Sequence, residues 1–423
     1  VALPSLLDRA FERLALDRCA LLPLRRITDL QTTRVANDAI VKFRAGCQIQ
    51  SGPIAGSLPD SDPAAQQDAI RLQERWTPLL DLLTEEIIVR PFSLPRLLWK
   101  GWRELPKLRG TVADELNRLV RDPSLRAAMG SVTLYTGLPP EETPVMQLIG
   151  LVAMLAGECY LPEGGMGSIS EVLHSRFQQL GGETHIETPV ERILVESGRA
   201  TGVVVRDCRV AADAVVSTTS AMATYRILLR GADSPGRQAR RAVGAPLSQK
   251  AFSVQLGLRN RVAADSHFMG YVPRLESLRE LLVPPQGAMK WLCYSVPTVT
   301  MPSLAPTGGS VIEAFPAIDQ SIPAGEWSPS RAERVAEDTI AALSRLHHLD
   351  IAVTRVRSPR NFLQDMRLFA GAIYGLSPAV DARAQFSHKS PIPGLYLAGQ
   401  TTYPGYGVAP AMLSGIFAAD LVH

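Results

Sequence analysis

The chain is long, weakly charged and moderately apolar, and these properties limit what it can be. At 423 residues, two or three lobes are expected instead of a single compact core. A net charge of +3 and 46% apolar residues give no indication of a nucleic-acid-binding protein, and a mean hydropathy of +0.05 lies below that of a multi-span membrane protein. Scattered cysteines without a Cys-x-x-Cys pair are typical of reduced thiols in a cytoplasmic protein, not of a zinc site or disulfide framework. These are Cys19, Cys47, Cys159, Cys208 and Cys293.

The first part of the chain predicts mainly helices. Apolar residues at near-helical spacing indicate an amphipathic helix over 3–16. Prolines and glycines among small polar residues indicate an exposed loop over 51–64. Further helices are predicted at 64–84, 111–120 and 143–157.

The segment 91–109 interleaves bulky apolar residues with basic ones. It contains Trp99 and Trp102 beside Lys100 and Arg103. Tryptophan and basic side chains on one amphipathic segment suit contact with a membrane surface. An ordinary surface helix would instead pack its tryptophans inward. The sequence leaves both interpretations open, and peripheral membrane contact through 91–109 is one hypothesis.

A glycine-rich segment, Pro-Glu-Gly-Gly-Met-Gly at 162–167, separates the helical part from a run of short strands. A helix is predicted at 170–180, closed by Gly181 and Gly182. The strands are joined by tight turns, and the link at 197–199 is typical of a hairpin. They are predicted at 184–186, 190–196, 201–206 and 213–217.

The second half predicts a mixed lobe of strands and one long helix. Serine caps and early acidic residues mark an amphipathic helix over 328–346, and an alternating strand follows at 351–357. His347 and His348 follow at the end of that helix, where exposure suits an imidazole, and we expect no metal site. The other strands are predicted at 251–256, 267–272, 289–294 and 310–315.

The C-terminal segment is the most distinctive part of the sequence. An apolar strand over 395–398 runs into a bend that contains Gly399, Gly405 and Gly407, and a helix follows from about Val408. Glycines let a backbone approach a flat or charged ligand closely, and a helix start presents free N–H groups to oxyanions. The pattern therefore predicts a ligand-binding bend.

Together these segments resemble the phytoene desaturases and carotenoid isomerases, FAD-dependent oxidoreductases of the amine oxidase superfamily. The resemblance rests on Gly-Leu-Tyr-Leu-Ala-Gly at 394–399, on Pro-Gly-Tyr-Gly at 404–407, and on the order of the motifs between 162 and 217. A further block, which includes Ile-Tyr-Gly-Leu-Ser-Pro at 373–378, fits the family as well. It covers most of 155–423 and only loosely 1–154. It implies an α/β and α+β fold: an incomplete Rossmann-like FAD-binding lobe, an inserted mixed-sheet substrate lobe and a helical cap.

The resemblance also implies a division of the chain and a reaction. Residues 1–154 would form the helical cap and part of the substrate lobe, 155–245 part of the FAD-binding lobe, 246–360 the substrate-binding lobe, and 361–423 the C-terminal FAD-binding segment. The reaction would be desaturation, saturation or isomerisation of an apolar polyene or isoprenoid by hydride transfer at FAD.

The same resemblance implies a set of cofactor contacts. Val190 resembles the backbone position that meets the adenine. At position 400, many relatives carry an acidic residue, whereas this chain has Gln400. The helix starting near Val408 would direct its N–H groups at the flavin ring. The implied cofactor-binding residues are Val190, Gly399, Gln400, Gly405, Tyr406, Gly407 and Val408.

Two residues favour a different chemistry. Tyr406 falls where amine oxidases place an aromatic residue beside the flavin, and Lys250 lies near a strand where those enzymes carry a lysine. An aromatic box positions an amine, and a lysine assists hydride transfer or reaction with oxygen. Lys250 and Tyr406 are therefore the candidate catalytic residues, although stacked packing and a solvated strand end explain them as well.

One part of the expected fold does not occur in these 423 residues. The family opens with a βαβ unit whose G-x-G-x-x-G loop holds the flavin pyrophosphate, and the sequence contains no such loop. Either the chain is part of a longer polypeptide, or a partner chain supplies the site, or the protein no longer binds flavin. The missing loop makes a non-catalytic subunit that retains the fold one alternative to a desaturase, and Tyr406 and Lys250 make an amine oxidase the other.

Overall fold

The computed structural model describes residues 3–35, 39–53, 62–230, 236–272, 278, 282, 292–380 and 385–422. The helices in these ranges are α1 (Pro4–Arg13), α2 (Arg18–Leu21), α3 (Pro63–Leu82), α4 (Leu94–Gly101), α5 (Val112–Leu119), α6 (Pro123–Ser131), α7 (Leu148–Ala156), α8 (Gly167–Gln179), α9 (Ala221–Ala223), α10 (Gly236–Val243), α11 (Pro329–Ser344), α12 (Pro359–Gln364) and α13 (Val408–Ala419). The strands are β1 (Leu24–Arg26), β2 (Asp29–Val35), β3 (Ala39–Arg44), β4 (Gln48–Pro53), β5 (Tyr160–Pro162), β6 (Arg192–Glu196), β7 (Arg199–Val205), β8 (Cys208–Ala211), β9 (Val215–Ser217), β10 (Ser253–Leu258), β11 (Phe268–Val272), β12 (Leu292–Ser295), β13 (Ser310–Pro316), β14 (Ile351–Arg357) and β15 (Leu395–Leu397).

Local sequence accounts for where the two longest helices start. The Asp62 side chain accepts hydrogen bonds from the first N–H groups of α3, and Ser328 does the same for α11 through the N–H of Arg331. Each helix has proline at its first position, where a missing N–H costs nothing. These caps, followed by apolar residues at helical spacing, fix both helix starts within two residues of the predicted positions.

One eight-stranded sheet dominates the structure. Its strand order is β14-β10-β13-β12-β11-β2-β3-β4, and every neighbouring pair is antiparallel except β11 and β2. Burial alternates along β13, as expected for a strand with one face on a core. The strands β2 to β4 come from the first part of the chain and the rest from the second half, so the sheet joins two distant segments.

Two hydrophobic clusters cover this sheet. One contains Trp76 of α3 with residues of α5, α6 and α7 and of strands β2 to β4. The other contains Trp327 and Phe252, whose rings lie 5.7 Å apart, together with Leu343 of α11 and apolar residues of β10, β12 and β13. Both tryptophans are almost completely buried, so each cluster is anchored by one large aromatic side chain.

The remaining part of the molecule is built from smaller sheets. Strands β9 and β15 pair in parallel, and β6, β7 and β8 form an antiparallel meander with a tight turn at Ser197 and Gly198, as predicted. Helix α1 packs against α13, where Leu7 and Phe11 meet Phe417 in a further hydrophobic cluster. Helices from the two ends of the described ranges therefore pack against each other.

Several predictions about local structure were wrong. Residues 184–186 form no strand, and Ile186 is 75% exposed. Val190 precedes strand β6 instead of lying in it, and β10 begins at Ser253, after Lys250. His347 is only 7% exposed, because the chain turns inward after α11 and its Nε2 lies 2.7 Å from the Tyr294 hydroxyl.

Other predictions fall partly outside the described ranges. Most of the loop predicted at 51–64 and the start of the strand predicted at 289–294 lie there, while 51–53 belong to β4 and 292–295 form β12. Nowhere in the described ranges is a helix both long enough and apolar enough to cross a bilayer.

Candidate functional site

The glycine bend lies at the carboxyl end of the parallel pair β9 and β15. The N–H of Ala398 donates to the Ser217 carbonyl at 3.0 Å, which extends the pairing by one residue. The N–H of Gly399 donates to Ser414 Oγ at 2.9 Å, and the Ser414 and Thr402 hydroxyls lie 2.6 Å apart. These contacts tie the bend to helix α13. Ligands of open parallel sheets bind outside the carboxyl ends of the strands, so the bend occupies a suitable position.

The three glycines of the bend are needed for different reasons. All have positive φ, namely 103° at Gly399, 117° at Gly405 and 108° at Gly407. A Cβ at Gly399 would lie 3.2 Å from the Thr218 carbonyl oxygen, and one at Gly405 would lie 2.6 Å from Gln385 Nε2. A Cβ at Gly407 would meet nothing closer than 3.5 Å. Neighbouring protein atoms thus leave little room for a side chain at Gly399 and Gly405. At Gly407 there is room for a side chain, and only the backbone conformation disfavours one.

The other predicted cofactor residues differ in their surroundings. Val408 begins α13 and is exposed beside Gly407, and its N–H lies in the first helical turn, where a backbone N–H has no intrahelical acceptor. Gln400 is engaged by the protein itself. Its carboxamide, oriented to satisfy both partners, donates to the Ile373 carbonyl at 3.0 Å and accepts from the Gly375 N–H at 3.3 Å. Val190 is exposed, and its assignment to the adenine stays a prediction.

Tyr406 belongs to a group of aromatic and amide side chains. Its hydroxyl donates to Gln147 Oε1 at 2.9 Å. Its ring packs against Tyr374 with centroids 4.8 Å apart and an interplanar angle of 40°. The Tyr374 hydroxyl in turn donates to the Tyr135 carbonyl at 3.0 Å. Because the two rings touch, no ligand fits between them, and an amine cage built from this pair is not open in this structure.

A cavity of about 360 Å³ lies on one side of this group, and we call it the Tyr406 cavity. Its polar lining consists of neutral side chains, including Gln31, Thr133 and Gln147. Among the described residues that line it, none is charged. Its apolar lining includes Ile27, Met129, Leu148, Leu151, Met154 and Phe268.

A second cavity of about 300 Å³ lies near the start of β10, and we call it the Lys250 cavity. Its lining includes Lys250, Gln249, Gln320, Cys293 and the rings of Tyr135 and Tyr374. Tyr135 lines both cavities. The two predicted catalytic residues therefore face different cavities that share a wall.

Burial keeps the hydroxyl and thiol groups of this wall protonated. Desolvation raises the pKa of Tyr135, Tyr374 and Tyr406, and that of the Cys293 thiol to about 12. Desolvation also lowers the pKa of Lys250, because an ammonium loses hydration there. At neutral pH the tyrosines serve as hydrogen-bond donors and not as bases, so the described wall offers orientation and exclusion of water.

The structure adds residues that sequence reasoning missed. Gln147, Tyr135 and Tyr374 join Tyr406 at the shared wall. Only Tyr374 had a signal in the sequence, since Ile373-Tyr374-Gly375 lies in one of the family-like blocks. No group of metal-ligating side chains occurs in the described part of the chain.

Comparison with known proteins assigns the family. Residues 26–423 match the model of the flavin-containing amine oxidoreductases. The chain therefore belongs to this family, and the glycine bend beside an aromatic wall lies within the matched region.

Several proteins similar in sequence carry the names of carotenoid desaturases or isomerases. The chain is 27% identical over 332 residues to the lycopene-forming phytoene desaturase of Paracoccus sp., covering 75% of this chain and 66% of that protein. It is 26% identical to the zeta-carotene-forming phytoene desaturase of Myxococcus xanthus, covering 77% and 64%. The chloroplastic prolycopene isomerase of Arabidopsis thaliana is 24% identical, covering 75% and 54%. The chain thus matches about two thirds or less of the length of these relatives, and the resemblance to desaturases and isomerases is confirmed.

Solved structures confirm the mixed α/β fold. A putrescine oxidase bound to putrescine has a TM-score of 0.61 at 15% identity, covering 100% of this chain and 86% of that one. An oxidoreductase from Methanosarcina mazei has a TM-score of 0.60 at 15% identity, covering 98% and 85%. At such identities the likeness concerns the fold alone.

Proposed function

We propose that this chain forms the substrate lobe and part of the flavin lobe of an FAD-dependent oxidoreductase that desaturates, saturates or isomerises an apolar polyene or isoprenoid. The observation that carries the proposal is the Tyr406 cavity, an apolar space that reaches the glycine bend and is lined, among the described residues, by neutral side chains alone. Unactivated C–H bonds offer little to a side-chain acid or base, so such a cavity suits a reaction in which the cofactor does the chemistry.

The bend has the features that a flavin requires. Gly407 and Val408 are exposed at a helix start, and the bend follows a parallel strand. Bound FAD would supply the hydride acceptor or donor. Gly407 and the N–H groups of α13 would lie along it, and the apolar cavity wall would exclude water from the reacting carbon atoms.

The relatives support polyenes over amines as substrates. Their names specify phytoene, zeta-carotene and prolycopene, and the contact between the Tyr374 and Tyr406 rings leaves no slot for an ammonium. Within the site, the amine oxidase alternative depends on Tyr406 and Lys250, and these residues face different cavities.

Variants of Tyr406 in the complete flavin-loaded protein test this proposal. Loss of an aromatic that positions a cation costs about 1–2 kcal/mol, or roughly ten-fold in turnover, so Tyr406→Ala would lower amine oxidation at least that much. For a polyene we expect a change of a few-fold or a shift in preferred length, and Tyr406→Phe serves as the control that keeps the ring. Robust amine turnover, lost in both Tyr406→Ala and Lys250→Met, would overturn the proposal. Absence of flavin from the complete protein would indicate a non-catalytic subunit.

We further propose that a polypeptide unit outside residues 1–423, from a longer chain or a partner chain, completes the FAD site. Two-stranded parallel sheets are rarely left uncovered, and this part of the molecule exposes large apolar side chains. Leu180 is 69% exposed, and Phe177, Ile186 and Val216 are exposed as well. A βαβ unit packed here would also bring the glycine-rich pyrophosphate loop. We expect residues 1–423 alone to lose FAD during gel filtration, and retention of one FAD per chain would refute the proposal.

The third proposal is that α4 and the residues after it contact a membrane surface from the cytoplasmic side. Trp99 is 74% and Trp102 62% exposed, and each ring carries a basic neighbour, with Lys100 Nζ 5.2 Å and Arg103 Cζ 4.9 Å from the respective centroid. Exposed tryptophans flanked by cations match the interface of an anionic bilayer.

Vesicle sedimentation tests this proposal. We expect the protein to sediment with phosphatidylglycerol-containing vesicles, and Trp99→Ala with Trp102→Ala to reduce the bound fraction several-fold. Val353→Ala, at another exposed apolar position on β14, is the matched control. Equal sedimentation of all three proteins would refute the contact.

A further inference from the structure

The Lys250 cavity differs from the Tyr406 cavity by one charge. Aromatic and aliphatic side chains such as Phe252, Phe315, Ile318 and Phe362 dominate its lining. Among the described lining residues, Lys250 is the single charged one. A cation in a mainly apolar cavity is costly unless it gains a partner, so this charge calls for an explanation.

The backbone of Lys250 is held in place. The side chain of Gln320 accepts from the Lys250 N–H at 2.8 Å and donates to the Lys250 carbonyl at 3.0 Å. The residue also forms an isolated antiparallel bridge with Ala372. Such anchoring limits the space that the ammonium can reach, which is what a binding group requires.

The ammonium itself is only partly satisfied. Nζ donates to the Gln320 carbonyl at 2.6 Å, and an ammonium carries three donors. Across the described ranges, no carboxylate lies within ion-pair distance of this nitrogen. The neighbouring Asp319 carboxylate already accepts from the Ser321 N–H at 2.8 Å and from its hydroxyl at 2.6 Å. The charge of Asp319 still acts on the Lys250 ammonium, but it forms no direct ion pair with Nζ, so an incoming oxyanion can approach this nitrogen directly.

The cavity also adjoins the proposed reaction site. Tyr374 lines it and packs against Tyr406, and Tyr135 lines both cavities. The two cavities therefore adjoin at Tyr135, and a ligand that occupies both has to pass this side chain.

We propose that the Lys250 cavity binds the anionic end, a carboxylate, of an otherwise apolar substrate whose body lies in the Tyr406 cavity. The proposal rests on the proposed polyene function and narrows its substrate class from plain hydrocarbons to chains with an oxidised end. The Lys250 ammonium donates charge-assisted hydrogen bonds to the carboxylate, and the hydroxyl groups and apolar walls position the rest. The same cation repels an ammonium ligand.

The test compares two probes with the same polyene body, all-trans-retinoic acid and all-trans-retinol. Binding is measured by quenching of tryptophan fluorescence in the full-length flavin-loaded protein. We expect the acid to bind roughly ten-fold more tightly or better, since a hydrogen bond to a charged group is about twice as strong as a neutral one. Lys250→Met should abolish the preference and Lys250→Arg should retain it. Lys389→Met, a change of an exposed lysine, should leave it unaltered.

Each other outcome overturns the proposal. Equal affinity for the two probes, failure of the acid to bind, or a preference that survives in Lys250→Met would each refute a carboxylate site at this lysine. Conversion of a hydrocarbon polyene by the flavin-loaded protein is measured separately, with the flavin first oxidised and then reduced, so that desaturation, saturation and isomerisation are all detected. If such conversion occurs without any acid preference, the carboxylate proposal fails alone. If the acid preference holds and no polyene is converted with either form of the flavin, the proposed function fails while the binding site stands.

Discussion

Two parts of this molecule differ in how completely they bury their own apolar surfaces. One is the part proposed to bind substrate, the eight-stranded sheet with its covering helices, which we call the substrate side. The other is the part proposed to bind flavin, strands β6 to β9 and β15 with helices α8 and α13, which we call the flavin side. The eight-stranded sheet has two hydrophobic clusters around Trp76 and Trp327. The flavin side rests on a two-stranded parallel pair and a three-stranded meander, and it exposes Phe177, Leu180 and Ile186.

This difference predicts which substitutions change the stability of the protein and which change its binding of the cofactor. The substrate side contains the helices that cover its sheet, so its cavities are defined by residues of this chain. The flavin side has a glycine bend at the carboxyl end of its parallel strands and leaves large apolar side chains exposed, as the proposal of a further covering unit requires. We therefore expect substitutions on the two sides to have distinct consequences, with stability changing most on the first and cofactor retention on the second.

The largest change in the free energy of unfolding is expected for a substitution in the hydrophobic core of the substrate side. Trp327→Ala removes a buried ring that packs on Phe252 and should lower the free energy of unfolding by about 3–5 kcal/mol. Trp99→Ala, the same substitution at an exposed site, should change it by less than about 0.5 kcal/mol. Urea unfolding followed by circular dichroism measures both. Similar values for the two variants would mean that the cluster around Trp327 is not a stabilising core.

A substitution in the glycine bend is expected to change stability less, but to cause loss of the flavin. Gly407 has φ 108° and ψ 158°, a region that is accessible almost only to glycine, so Gly407→Ala should cost about 1–3 kcal/mol. Straightening the bend should also release flavin from the complete protein. Gly415→Ala is the matched control in the same helix, where a Cβ meets no atom within 4 Å, and it should retain flavin. Flavin absorbance after gel filtration measures the outcome, and unchanged content in Gly407→Ala would show that the bend is only a connection.

The sequence predicted those elements whose causes are local. Helices α3 and α11 have side-chain caps and regular apolar spacing, and both were placed correctly. The strand predicted at 184–186 failed because β-structure needs a neighbouring strand, and none of the described strands pairs with it. His347 was expected to be exposed, yet a contact with Tyr294, 53 positions away, buries it.

The candidate site shows the same limit. Tyr406 and the glycines could be recognised from one contiguous motif. The shared wall, however, brings together Tyr135, Gln147, Tyr374 and Tyr406 from segments that meet only in the folded chain. The sequence made Lys250 a candidate, but its position in a different cavity from Tyr406 depends on the course of the eight-stranded sheet, which no local pattern encodes.

The smallest change in the free energy of unfolding is expected for Asp62, the N-cap residue of α3 on the substrate side. Hydrogen bonds from the Ala65 N–H and the Ser51 hydroxyl lower the pKa of the Asp62 carboxyl. A carboxyl whose pKa is lowered on folding stabilises the protein above its unfolded value near 3.9, and this contribution is lost as the pH falls through the folded value. Asp62→Ala should therefore cost about 1 kcal/mol at pH 7, with the gap to the wild type closing as the pH falls below about 4. Asp62→Asn keeps an acceptor without a titrating group, so it should retain much of the cap at every pH. Urea unfolding at pH 7 and pH 3 measures both, and a gap for Asp62→Ala that is the same at the two pH values would show that the carboxylate charge contributes nothing to this cap.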